Sequence, residues 1–170
     1  MKLGVIISLE DARKGGLAKV RDLGLPTCQV SCWNPDVMNR EVADELRLAS
    51  RDHSVEITTI WTGLPGKAVW NFIEGPTTIG LVPPETRELR VKALNMGAEF
   101  AHMVGAQSIT THVGFIPEWP GDKIYQGLVE SLKKVASFCK GNGQGFWFET
   151  GQETPIALLR TIEDVGVDNL

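Results

Sequence analysis

Five times along the chain, a short run rich in β-branched and aromatic residues gives way to a longer stretch with helical patterning. That alternation constrains the fold more than any other feature. The strand-like runs lie at 3–9, 27–33, 56–62, 108–114 and 146–150, and helical patterns fall at 11–23, 40–52, 84–104, 123–140 and 154–165. Pro84 suits the first turn of a helix, while Gly24, Gly105 and Gly166 suit helix ends. A repeated strand–helix–strand order predicts a parallel sheet with right-handed crossovers. No linker or low-complexity tract interrupts it, so residues 1–170 are expected to form a single domain.

The two faces of each strand narrow the architecture. Gln29, Ser31 and Trp33 share one face, with Cys28, Val30 and Cys32 on the other. Ser108, Thr110 and His112 oppose Ile109, Thr111 and Val113, and Trp147 and Glu149 oppose Phe146 and Phe148. An open doubly wound sheet buries both faces beneath helices and reads as apolar on both. A barrel instead has helices outside and a lumen that turns polar toward the C-terminal mouth. The pattern favours an incomplete (β/α)8 TIM barrel with its first five βα units present. An open five-stranded doubly wound parallel sheet is the alternative. A whole barrel has eight strands and typically about 250 residues, whereas here Val167, Asp168, Asn169 and Leu170 stand where a sixth strand would begin.

Composition excludes several functions. With 17 Lys+Arg against 21 Asp+Glu and 42% hydrophobic residues, the chain has an ordinary soluble make-up and a net charge of −4. No Lys/Arg block offers an electrostatic footprint for nucleic acid, and no apolar run is long enough for a membrane span. The N-terminus reads as a first strand rather than a signal peptide. Cys28, Cys32 and Cys139 form no disulfide framework and are read as small buried hydrophobes, which suits a reducing cytoplasm.

In α/β folds of either kind, sites form at the C-terminal ends of the strands. Those ends carry Ser8 and Glu10, Trp33 and Asn34, Trp61, His112, and Glu149 with Gln152 and Glu153. Glu149 is the sharpest candidate, a carboxylate emerging from Phe146-Trp147-Phe148 just as the strand ends. It is read as a catalytic acid/base and metal ligand. His112 is read as lining the substrate pocket, with direct metal ligation the alternative. Trp33 and Trp61, ending neighbouring strands on one face, would wall the substrate pocket, and Gln152 would contact the substrate. Residues 63–83, with Trp70 and Phe72, are long for a βα connection and are expected to act as a lid, mobile or packed over the mouth. Arg87 and Arg90 are expected to be solvated, and His53 and His102 to be structural or surface residues.

Ile109-Thr110-Thr111-His112-Val113-Gly114-Phe115-Ile116-Pro117-Glu118, followed by Phe148-Glu149-Thr150-Gly151-Gln152-Glu153, resembles the xylose-isomerase-like superfamily, in its sugar phosphate isomerase/epimerase branch. The segment from Trp70 to Pro83 is similar to that branch's third βα loop. The resemblance implies a TIM barrel with one divalent metal (Mn, Mg, Co or Zn) at its mouth, bound in part by the glutamate matching Glu149. The other ligands would come from strands six to eight, so metal is expected to be weakly held or absent here. The implied activity is isomerisation or epimerisation of a sugar or sugar phosphate. Proton transfer beside a carbonyl would pass through an enediolate. The alternative is a noncatalytic partial-barrel fragment or binding module that assembles with another chain. A relative of endonuclease IV would need more metal-binding histidines and a basic face. Unpaired edges at the first and fifth strands predict self-association.

Overall fold

The computed structural model describes residues 2–170. Strands β1 (Gly4–Ser8), β2 (Thr27–Cys32), β3 (Glu56–Thr62), β4 (Ser108–His112) and β5 (Gly145–Glu149) form one parallel sheet in the order β1-β2-β3-β4-β5. The order decides between the two architectures. A doubly wound sheet reverses its strand order at a switch point and takes helices on both faces. Here each strand lies beside its predecessor, and right-handed crossovers then put every helix on the same side. The sheet is the partial barrel expected, and the open doubly wound alternative falls.

Helices α1 (Leu9–Asp11), α2 (Leu17–Asp22), α3 (Arg40–His53), α4 (Pro84–Val104), α5 (Lys123–Gly141) and α6 (Pro155–Val165) follow the strands. Side-chain caps start four of them, Ser8 for α1, Asn39 for α3, Asp122 for α5 and Thr154 for α6, each accepting a bond from a backbone N–H of the first turn. The first helical stretch departs from the expected continuous helix over 11–23. A π-helical turn at Ala12–Gly16 interrupts it, with Gly15 at φ 86°, a left-handed value that glycine adopts without steric cost.

The outer strand residues Cys28, Val30, Cys32, Ile57, Ile60, Ile109 and Phe146 join helix residues such as Leu46, Leu94, Phe100 and Leu132 in one core. Ile57 and Ile60 both face that core although three residues apart. A β-bulge explains this, since Cys28 and Gln29 on β2 pair with Ile57 and Thr59, leaving Thr58 as the extra residue. All three cysteines are free and buried, as expected. Burial pushes the Cys28 thiol up to about 11 and the Cys139 thiol up to about 12. The last residues begin a fifth pairing, on the free side of β5, because the Phe146 N–H donates to the Asn169 carbonyl at 2.9 Å. The Asn169 amide also ties Ala136 O and Gln144 O, each at 2.9 Å. No helix among the described residues is long and apolar enough to cross a membrane.

Candidate functional site

Strand register determines what meets on the concave face. Ser8 pairs with Ser31, Ser31 with Trp61, Trp61 with Thr110, and Thr110 with Trp147, so these five side chains form one row across the sheet. One step toward the C-terminal ends, His112 pairs with Glu149. An imidazole and a carboxylate therefore stand side by side at the mouth, on the same face of adjacent strands.

The imidazole is held closely. His112 is 5% exposed, and its Nδ1 accepts a hydrogen bond from the Gly114 N–H at 3.1 Å. The neutral ring must then carry its proton on Nε2. Burial pulls the His112 pKa below its ordinary value, and the nearby charges of Glu149 and Glu153 oppose that shift. A Cβ at position 151 would lie 2.4 Å from Nε2, so the chain passes the ring only as Gly151. Trp70 meets the ring edge-on, with centroids 5.2 Å apart.

Glu149 is exposed, with no hydrogen bond or ion pair among the described residues, which leaves its oxygens available. Gln152 is exposed on the loop beyond it. The neighbouring Glu153 is better fixed, since one oxygen accepts from the Gly151 N–H at 2.9 Å and the other is buried without a partner. Trp33 and Trp61 pack together, centroids 4.5 Å apart, but only Trp33, at 58% exposed, offers its surface. Beside Trp33 a groove of about 800 Å³ runs between the ends of β1 and β2, past Ser8, Glu10, Ser31 and Asn34. His53 lies in the last turn of α3 near Arg21, and His102 is exposed on α4, both away from the mouth.

The 63–83 segment takes the packed form of the two expected. Trp70 covers His112, whereas Phe72 meets Phe115 edge-on and otherwise stays exposed. The segment returns against β4 through a Leu81 N–H bond to Val113 O at 2.8 Å. Gly80, at φ 69°, makes that approach possible, because a Cβ there would lie 2.0 Å from the Val113 backbone. The expectation that Arg87 and Arg90 are solvated is overturned. Arg90 is 1% exposed, and its guanidinium donates to the carbonyls of Pro65, Gly80 and Lys67 at 3.0, 2.7 and 2.9 Å. Arg87 donates to Leu81 O at 2.7 Å and Val82 O at 2.6 Å. Sequence reasoning missed both roles because the loop's carbonyls leave no mark in residue types.

Metal holding is a separate matter. Among the described residues no group of three or more His, Cys, Asp or Glu could hold a metal ion. Nδ1 of His112 is already engaged, and Glu149 alone is one carboxylate where a bound ion needs several convergent donors. The residues present do not make a metal centre.

Residues 17–169 match the family described as xylose isomerase-like TIM barrel. The chain belongs to that family. A xylose isomerase domain protein from Planctomyces limnophilus has a similar structure, at TM-score 0.90 and 33% identity, with 99% of this chain and 60% of that one covered. Also similar are a D-psicose 3-epimerase from Clostridium cellulolyticum H10 (TM-score 0.73, 15% identity, coverage 99% and 61%) and an L-ribulose 3-epimerase (TM-score 0.70, 21% identity, coverage 99% and 58%). At those identities the epimerases attest to the fold alone. The chain spans about 60% of the length of the solved structures it matches. No match is found among curated proteins.

Proposed function

We propose that this chain supplies the Glu149 side of the site of a sugar or sugar-phosphate isomerase or epimerase. The observation that carries the reading is the pairing of His112 with Glu149 at the C-terminal ends of β4 and β5. The exposed Glu149 carboxylate takes a proton from the carbon beside a substrate carbonyl. The C–H bond breaks, an O–H bond forms on Glu149, and the electron pair moves onto the carbonyl oxygen. His112 Nε2–H donates a hydrogen bond to that oxygen, which is where negative charge develops. Returning the proton to the former carbonyl carbon, as the neighbouring hydroxyl proton passes to the first oxygen and a new carbonyl forms, gives isomerisation, whereas epimerisation needs a second acid on the opposite face to protonate the original carbon. Trp33 covers an apolar face of the sugar, Gln152 binds its hydroxyls, and the three free thiols suit a cytoplasmic setting.

The test is wash-in of solvent deuterium into ketoses by a form of the protein with a closed barrel. Glu149→Gln should keep the fold and cut exchange by about 100-fold or more. Near-wild-type exchange would remove Glu149 from the reacting groups. A second reading is a noncatalytic fragment or binding module that assembles with another chain. It is favoured by one observation, the exposure of Ile6 and Trp147 on the concave face.

A further inference from the structure

Arg90 is a buried cation with no carboxylate within ion-pair distance among the described residues. Burying a charge costs several kcal/mol unless hydrogen bonds compensate it. Its compensation comes wholly from main-chain carbonyls, Pro65 and Lys67 where the 63–83 segment leaves β3, and Gly80 where it returns. One side chain thus closes the neck of the loop. Three separate carbonyls suit the planar fork of a guanidinium, which a lysine ammonium cannot reproduce.

Beyond the neck the segment is tied to itself. Val69 N–H donates to Thr78 Oγ1 at 3.1 Å, Lys67 pairs with Glu74 at 3.0 Å, and Asn71 Oδ1 accepts from the N–H groups of Ile73 and Glu74. A loop with joined ends and internal bonds behaves as one body. At its far end Trp70 sits over His112, which is buried while the register partner Glu149 is exposed. The space left between Trp70, His112, Trp33 and Trp61 is about 20 Å³. That is room for about one water, so no sugar reaches the imidazole until Trp70 shifts.

We propose that the 63–83 segment is a preformed cap over His112 and that Arg90 is the positioning residue that sets its place. The proposal rests on the His112–Glu149 reading for its purpose, but its test reads geometry and not turnover. The experiment is carbethoxylation of the 170-residue chain with diethyl pyrocarbonate, mapped by peptide, with exposed His102 as internal standard, alongside amide exchange over 66–82. Trp70→Ala should speed modification of His112 by about tenfold or more while Val69 and Leu81 amides exchange as in wild type. Arg90→Met should speed both the modification and the amide exchange. Arg90→Lys keeps the charge but should resemble Arg90→Met. If Arg90→Met fails to fold, Arg90→Lys and Trp70→Ala decide the matter. An unchanged His112 rate in Trp70→Ala would overturn the cap. Wild-type protection of both the loop amides and His112 in Arg90→Lys would overturn the positioning role. Loss or survival of exchange chemistry in Glu149→Gln bears on neither result.

Discussion

β4 and β1 contribute to the same concave face, yet every residue of Ser108–His112 is buried and none of Gly4–Ser8 is. Their residue types suggest the reverse, since β4 reads Ser-Ile-Thr-Thr-His and β1 reads Gly-Val-Ile-Ile-Ser. Place in the sheet explains the difference. β4 has β3 and β5 on either side, α4 packed against it, and Trp70 in front, whereas β1 has only β2 beside it. Ile6 is left 52% exposed, and at the other edge Trp147 is 43% exposed. The polar groups of β4 tolerate burial because each is bonded: Ser108 Oγ to Thr58 O, Thr110 Oγ1 to Trp147 O, Thr111 Oγ1 to Thr62 O, and His112 through Gly114 N–H.

The sharpest way to break this contrast uses two neighbours on β5. Phe146 is fully buried on the helix side, while Trp147 faces the hollow. Phe146→Ala should cost about 3–5 kcal/mol in urea unfolding, and Trp147→Ala about 1 kcal/mol or less. Equal costs would show that the hollow at β5 is as well covered as the core.

That pair also shows what the sequence discloses and what it withholds. Alternation along 146–150 told Phe146 from Trp147 by face, and the strand and helix periods located every major element to within a residue or two except the first helix. There the Gly15-Gly16 step broke a pattern that apolar spacing alone reads as continuous. The His112–Glu149 pairing needed the register, which residue types constrain only through their faces. Trp33 and Trp61 were legible as a pair but not as one exposed ring and one buried ring, a matter of which neighbours cover each. Arg90 was illegible, because its partners are carbonyls that any residue carries.

A smaller effect contrasts the roofed and open sides by pH. Burial under Trp70 lowers the His112 pKa, so the unfolded chain protonates this ring first as pH falls through about 6.5. Stability from this group is therefore full above that pH and declines below it. Urea midpoints at about pH 7.5 and about pH 5.5 should differ more in the wild type than in His112→Gln. An identical difference in both would mean that the ring is not shielded in solution. The smallest expected signal is at Glu149, on the open side. Calorimetric titration with Mn, Mg, Co or Zn should find only weak binding, because no three or more ligating side chains converge there among the described residues. A tight one-to-one site would contradict that shortage of ligands.

The hollow is covered at β4 and bare at β1 and β5, as in a barrel that has not closed. Sedimentation velocity of the 170-residue chain over a range of concentrations tests it most directly. Bare apolar edges invite pairing with another chain, so the sedimentation coefficient should rise with concentration as copies cover Ile6 and Trp147. A well-folded monomer at every concentration would contradict the account and point to five units that close on themselves.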